Sequence, residues 1–442
     1  MQAVTATPQA PPAQRASASP PSWAGSWAVA WRALLGSRLV VFFAGVLAVL
    51  EVGRAADTAG FDPTRVTAPF GYFGNLLVAP FARWDSVWYL DIARSGYGQD
   101  KAKTAFFPLY PLLMRGLGIV IGSDLIAGIL ISLVLFAIGL VLLHRLAALD
   151  LGESGARLTV LLVAFCPVAY FFSAVYSESL YLALSVGCFL LARYGRWTTA
   201  CLLGGLAATS RNSGIMLLVP VVLLYLYGPR ADRLLADSRW ARGGFAGWRR
   251  LLPRHRAGLE FLWAGLIPLG LAAYVLYLAA ATGHPFAPFQ AQAVWYREFS
   301  GPFGGVWKGA VAAWDGLRQL LHGPPPPIYF KLAGGNALQV AGQNLMLFGF
   351  LVLGAVACVG AFRRLPFAYG AYALASLAMP LSYPVTPQPL ASLPRYEVVL
   401  FPLFMWGADV IRRRRLAGVA LPTFAVLLGL FTAEFATWRF VA

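Results

Sequence analysis

Long apolar runs separated by short polar breaks fill most of this chain. They lie near 38–53, 124–146, 157–175, 178–193, 197–212, 213–228, 259–281, 341–361, 366–383, 397–411 and 416–435. A helix needs about 20 apolar residues to cross a bilayer, so the pattern predicts an all-α polytopic membrane protein with about eleven transmembrane helices. The two runs between 178 and 212 are short; they tilt little, stop short of one leaflet, or pair as a re-entrant unit. The run at 38–53 is too long and too far along the chain for a cleaved leader, and reads as a retained signal-anchor helix. Residues 1–25 are rich in Ala, Pro, Ser and Gln without apolar periodicity, and read as a disordered cytoplasmic tail ahead of one transmembrane domain, 26–442.

Composition agrees with the pattern, since 59% of residues are hydrophobic and only 12% charged. The net charge of +17 could point to nucleic acid, but its placement points elsewhere. Eight arginines fall between Arg230 and Arg256, followed by Arg363-Arg364 and by Arg412 to Arg415. With the N-terminus inside, these groups all fall in cytoplasmic segments, including a basic loop at 229–258, as the bias of Lys and Arg toward that side requires. Membrane lipids are therefore the expected contact, and no nucleic acid. Two long loops, 54–123 and 282–340, are left outside. Cys166, Cys188, Cys201 and Cys358 all sit in apolar runs and read as small core residues. His144, His255, His284 and His322 are scattered, which argues against a histidine metal site, and no nucleotide-, dinucleotide- or serine-hydrolase motif stands in a fitting context.

The candidate chemistry gathers in the first outer loop, from Phe81 to Pro111. Asp85 and Asp91 are six apart, so on a helix they face different ways and one of them works alone. Trp84 and Trp88 flank Asp85, where a partly desolvated carboxylate gains basicity; the alternative role for Asp85 is a helix N-cap. Phe106 to Val120 suits an interfacial helix, with Trp84, Trp88, Tyr89, Tyr97 and Tyr110 at headgroup depth. Elsewhere, Glu178 either caps the helix it opens or joins a polar cavity, and Arg211, with no acid near it in sequence, needs an anionic partner. Arg395 either pairs with Glu397 or clamps a phosphate, for which a guanidinium offers paired donors. The second outer loop carries Trp295, Tyr296 and Arg297, then Pro324 to Pro327 as a stiff connector.

Several of these segments, in this order, resemble the motifs of the GPI mannosyltransferase 2 (PIG-V) family. They are Arg83-Trp84-Asp85-Ser86, Gly96-Tyr97, Ala105 through Pro111, Tyr176-Ser177-Glu178-Ser179, Arg211-Asn212-Ser213-Gly214 and Pro394-Arg395-Tyr396. Two departures stand out: Ser86 replaces a usual Gly, and the middle pair of the Arg211 motif is exchanged. The resemblance implies a GT-C glycosyltransferase fold, a polyprenyl-phosphate mannose donor, and a catalytic acid in the outer loop, carried here by Asp85 beside Trp84. The reaction expected is an inverting transfer with Asp85 as general base and Trp84, Trp88, Tyr89, Asp91, Glu178, Arg211, Arg395 and Tyr396 binding substrate. No tight acidic cluster is visible, so a metal-independent reaction is favoured over a divalent cation. The composition resembles that of a high-GC bacterium, where GPI anchors are not made. This implies a plasma-membrane enzyme with its site on the extracytoplasmic side, acting on a lipid-linked or other acceptor. A lipid flippase and a non-catalytic scaffold are the competing classes, the first weakened because the ionisable residues cluster at one face instead of near midplane and no inverted-repeat hydropathy pattern is seen.

Overall fold

The computed structural model describes residues 21–53, 58–232, 253–322, 337–385 and 388–439, all helical or irregular apart from one isolated bridge between Arg297 and Val385. The Pro324 to Pro327 run and most of the basic loop lie outside the described residues.

The chain enters through α1 (Trp23–Glu51), fifteen residues earlier than the apolar run suggests, because Ser22 caps it by accepting the Gly25 N–H at 3.1 Å. Residues 23–25, assigned to the tail by composition, are thus helical. The first loop holds α2 (Thr58–Phe61), α3 (Tyr72–Val78), α4 (Ser86–Ser95) and α5 (Leu109–Ile121). The runs at 124–146 and 157–175 join into one element, α6 (Asp124–Phe165), broken at Gly152, whose φ of 70° and ψ of 176° only glycine adopts without strain. Then come α7 (Glu178–Arg193), α8 (Trp197–Ser210), α9 (Leu218–Tyr227) and α10 (Leu266–Thr282). The second loop folds into α11 (Ala287–Val294) and α12 (Gly304–His322), and the chain ends with α13 (Ala337–Arg364), α14 (Phe367–Ser382), α15 (Leu393–Glu397), α16 (Phe401–Arg413) and α17 (Ala417–Ala436).

Among the described residues, five helical stretches are long and apolar enough to cross a membrane: 23–51, 124–165, 259–282, 338–364 and 417–436. The protein is a multi-pass membrane protein. The figure of about eleven spans exceeds this number because α7, α8 and α14 have only 14 to 16 residues. The physical reason is burial in protein: nearly every residue of α7 is enclosed, with α6, α8 and α9 packed against it, so it need not match the hydrocarbon thickness. Close backbone approach helps the packing. A Cβ added at Gly270 of α10 would sit 2.1 Å from the Gly205 carbonyl oxygen of α8.

One end of the bundle is basic and carboxylate-pinned. Arg193 at the end of α7 holds Asp150 at 2.8 Å and donates to the Tyr369 hydroxyl at 2.8 Å. Arg412, Arg413 and Arg364 gather round Asp409 at 3.2, 2.8 and 3.8 Å. The opposite end, where α7 begins, carries the candidate site.

Three tyrosines of the first loop are enclosed by protein. Tyr89, Tyr97 and Tyr110 are 3%, 4% and 0% exposed. The Tyr97 hydroxyl donates to the Phe106 carbonyl at 2.7 Å, and that of Tyr110 to the Gly128 carbonyl at 3.0 Å. Each buried ring thus has a protein partner for its hydroxyl.

Candidate active site

The site begins with a turn. Trp84 has φ of 54°, a left-handed conformation uncommon for a bulky residue. Its indole packs against Phe61 and Trp438, with centroids 4.8 and 5.7 Å away. The turn is braced by one hydroxyl: Tyr176 donates to the Arg83 carbonyl at 3.1 Å and accepts the Asp85 N–H at 3.1 Å, so it spans Trp84. The Val175 N–H, donating to the Phe81 carbonyl at 3.1 Å, ties the same two segments together. Arg83 is almost fully buried, and its Nε donates to the Ala436 carbonyl at 2.9 Å, anchoring the motif to the end of α17.

The brace delivers Asp85 to the start of α4. Asp85 occupies the N-cap position there, but its backbone is helical and its side chain caps nothing. The carboxylate instead meets Arg395 of α15 through Oδ2 and Nη1. The Nε of Arg395 reaches Oε1 of Glu178, and the same oxygen accepts Arg211 Nη1 at 2.8 Å. Two acids and two guanidiniums thus form one chain, Asp85, Arg395, Glu178, Arg211. This answers both alternatives left by the sequence: Glu178 joins a polar cluster from the first turn of α7, and Arg211 has its anionic partner. Of the two alternatives for Arg395, the pairing with Glu397 does not form, because α15 turns Glu397 into the interior beside Gly354. Burial opposes the charge of Arg395, but the Glu178 and Asp85 carboxylates outweigh it and raise its pKa well above the usual value. Its guanidinium also lies 4.6 Å over the Tyr176 ring.

These groups open into a cleft of about 450 Å³. Trp84, Asp85, Trp88, Tyr89, Arg211, Arg395 and Tyr396 all line it, while Glu178 lies beneath, fully buried. Burial pushes the Tyr89 hydroxyl up to about 12, so it remains neutral, hydrogen-bonded to the Ser177 hydroxyl at 2.9 Å. Around Tyr396 burial works upward but Arg297, Arg211 and Arg395 outweigh it and lower the phenol's pKa, a sign of a cationic cleft. Asp91 does not join. It faces away, pairs with Lys103 at 2.8 Å and hydrogen-bonds Ser95 at 2.8 Å, as its offset of six residues from Asp85 requires. Among the described residues no group of three His, Cys, Asp or Glu side chains is disposed to hold a metal ion.

The second outer loop supplies residues that spacing gave no reason to place here. Trp295 meets Trp88 edge-on with centroids 5.3 Å apart, and Trp88 stacks on Phe106 at 5.8 Å. Arg297 lines the cleft with its guanidinium donating to the Tyr383 and Ala391 carbonyls at 3.1 and 3.4 Å. Among the described residues no carboxylate pairs with it. Its bridge to Val385 fixes the loop against the end of α14. Tyr176 stands in one of the family motifs, but nothing in its position gave its role; a side chain that braces backbone leaves no periodic signal.

Comparison with known proteins bears on the first half of the chain. Residues 32–226 match the family model described as Mannosyltransferase (PIG-V). This region is homologous to the PIG-V mannosyltransferases. The chain is 30% identical over 177 residues to GPI mannosyltransferase 2 of Chaetomium globosum, covering 35% of this chain and 37% of that protein. It is 32% identical over 170 residues to GPI alpha-1,6-mannosyltransferase 2 of Mus musculus, covering 35% and 34%. The matched part is therefore a little over a third of each curated relative. The PIG-V region contains Asp85, Glu178 and Arg211, whereas Arg297 and Arg395 lie beyond it. An oligosaccharyltransferase from Archaeoglobus fulgidus superposes on 92% of this chain and 56% of its own with a TM-score of 0.40 and 12% identity, a likeness too distant to carry fold or function.

Proposed function

We propose that this protein is a membrane glycosyltransferase of the GT-C type that moves mannose from polyprenyl-phosphate mannose to a lipid-linked or other extracytoplasmic acceptor. The observation that carries the proposal is the placement of one carboxylate, Asp85, at the rim of a cleft lined by three guanidiniums, those of Arg211, Arg297 and Arg395. The homology of residues 32–226 to mannosyltransferases supports the choice of sugar.

The acceptor hydroxyl oxygen attacks the anomeric carbon from the face opposite the phosphate. Its proton passes to the Asp85 carboxylate, the bond from C1 to the phosphate oxygen breaks, and polyprenyl phosphate leaves with the electron pair, inverting the anomeric centre. General-base help of this kind is worth roughly 10²- to 10⁴-fold. The leaving group gains one negative charge, so it needs cations more than a proton, and Arg395, Arg297 and Arg211 supply them. With the guanidiniums able to take up this charge, the proposed step needs no metal ion. Trp88, Phe106 and Trp295 offer flat faces to the sugar and the first isoprene units. The collection of basic side chains at the far end of the bundle supports a site facing away from the cytoplasm with the N-terminus inside, and a composition like that of a high-GC bacterium supports a plasma-membrane location.

The test uses purified protein in lipid nanodiscs, radiolabelled polyprenyl-phosphate mannose and a glycolipid extract as acceptor. Asp85→Asn is expected to lower transfer at least about 100-fold. Full transfer by Asp85→Asn would sink the assignment, and movement of donor across proteoliposomes by the wild-type protein without transfer would replace it with a transporter.

A further inference from the structure

The residue assigned as the base is occupied at rest. A general base must offer a lone pair to the acceptor proton, yet the Asp85 carboxylate is engaged by Arg395. We infer that the phosphate of the incoming donor displaces Asp85 from Arg395, so that the base is released only in the donor complex and the donor binds before the acceptor. The inference rests on the reading of Asp85 as base and deepens it.

The two arms of Arg395 are unequal. Glu178 is 0% exposed and its Oε1 is held a second time by Arg211, whereas Asp85 is 26% exposed at the rim of the cleft. Breaking the inner arm strips a fully buried carboxylate of a partner, which is costly in any protein. The outer arm can be exchanged at the cleft surface. Exchange also requires an anion. If Asp85 swung away alone, Arg395 and Arg211 would share the single charge of Glu178, leaving a mostly buried cation half-neutralised. A phosphodiester carries the one negative charge that replaces what Asp85 withdraws, and a guanidinium binds it through paired donors. The carboxylate so released remains tied to the cleft by its backbone N–H, which donates to Tyr176, and stays beside the sugar. Asp85 therefore competes with the donor it serves.

That competition gives an outcome that neither a structural nor a simple binding role for Asp85 produces. Asp85→Asn and Asp85→Ala both remove the rival charge. Donor binding is measured with radiolabelled polyprenyl-phosphate mannose and no acceptor, on nanodisc-embedded protein shown to be monodisperse. Both variants are expected to bind the donor roughly five- to thirtyfold more tightly than wild type, about 1 to 2 kcal/mol at 1.4 kcal/mol per decade, while transfer is lost. Unchanged or weaker donor binding in both variants overturns the exchange and leaves the base assignment standing. Retained transfer in both overturns the base assignment, whatever the binding constants.

Discussion

Replacing Glu178 by Gln keeps the shape of the side chain and removes its charge. The wild-type carboxylate accepts from two guanidiniums through one oxygen and is fully enclosed. In the variant Arg211 loses its ion pair and Arg395 keeps only Asp85, so the enclosed cluster gains a net positive charge. Removing one partner of a buried pair costs about 3 to 5 kcal/mol. An unfolding entropy of about 2.1 cal/mol/K per residue over 442 residues gives about 0.9 kcal/mol/K, so the expected loss of melting temperature is about 3 to 5 °C. Melting is read by the loss of monodisperse protein after heating in detergent. A second variant isolates the electrostatic part. Glu178→Gln combined with Arg211→Met leaves a balanced Asp85–Arg395 pair and should recover more than about 1 kcal/mol of the single-variant loss. A Glu178→Gln protein that melts within 1 °C of wild type, or a double variant whose losses simply add, would show that the four side chains do not act as one charge cluster.

Two further outcomes follow from the same geometry. Tyr176→Phe removes the hydroxyl that accepts the Asp85 N–H and donates to the Arg83 carbonyl; a lost bond of this kind costs about 1 kcal/mol, and with the base loosened kcat should fall roughly tenfold while KM for the donor holds, read from initial transfer rates, and an unchanged kcat would deny the brace. Asp91→Asn should keep transfer within about twofold, since that carboxylate faces Lys103 outside the cleft. Burial works against the charged form of Asp91, but the bonds from Lys103 and Ser95 outweigh it and lower its pKa. Its stabilising contribution is thus present above the unfolded value near 3.9 and fades as pH falls through the folded one. Any melting difference between Asp91→Asn and wild type should be seen at neutral pH and vanish in acid; a difference that grows in acid would reverse the sign.

Much of this was legible in the chain, and the rest was hidden for identifiable reasons. The bounds of α7 follow from the sequence because a polar motif stands at each end of an unbroken apolar run. The start of α1 does not, because Arg32 and Arg38 interrupt its hydropathy. Arg38 is held inside the bundle by the Ala169 carbonyl and the Ser173 hydroxyl, at 2.9 and 2.7 Å. The break at Gly152 looks like a loop between two spans, since periodicity cannot distinguish a kink from a turn. In the site, seven of the side chains expected to act there line the cleft, and helical spacing separated Asp85 from Asp91. What spacing could not do was choose partners for Arg395. Glu397 stands two residues away and is not one of them, whereas Glu178 is 217 residues away and is. Arg297 was hidden for a related reason, as only the packing of the second loop against α14 and α15 brings it to the cleft.

The origins of the charges in the cleft are divided along the chain. Both acids and one arginine come from the stretch homologous to the PIG-V enzymes, and the two remaining arginines come from the part that follows it. A polypeptide ending near residue 226 would hold Asp85, Glu178 and Arg211, a net negative set that repels an anionic lipid. On the proposed function, selection on the later segment retunes which phosphate-linked lipid is gripped while leaving Asp85 in place. Under the same proposal, recombining that segment between homologues exchanges donor preference while Asp85 and Glu178 are inherited intact.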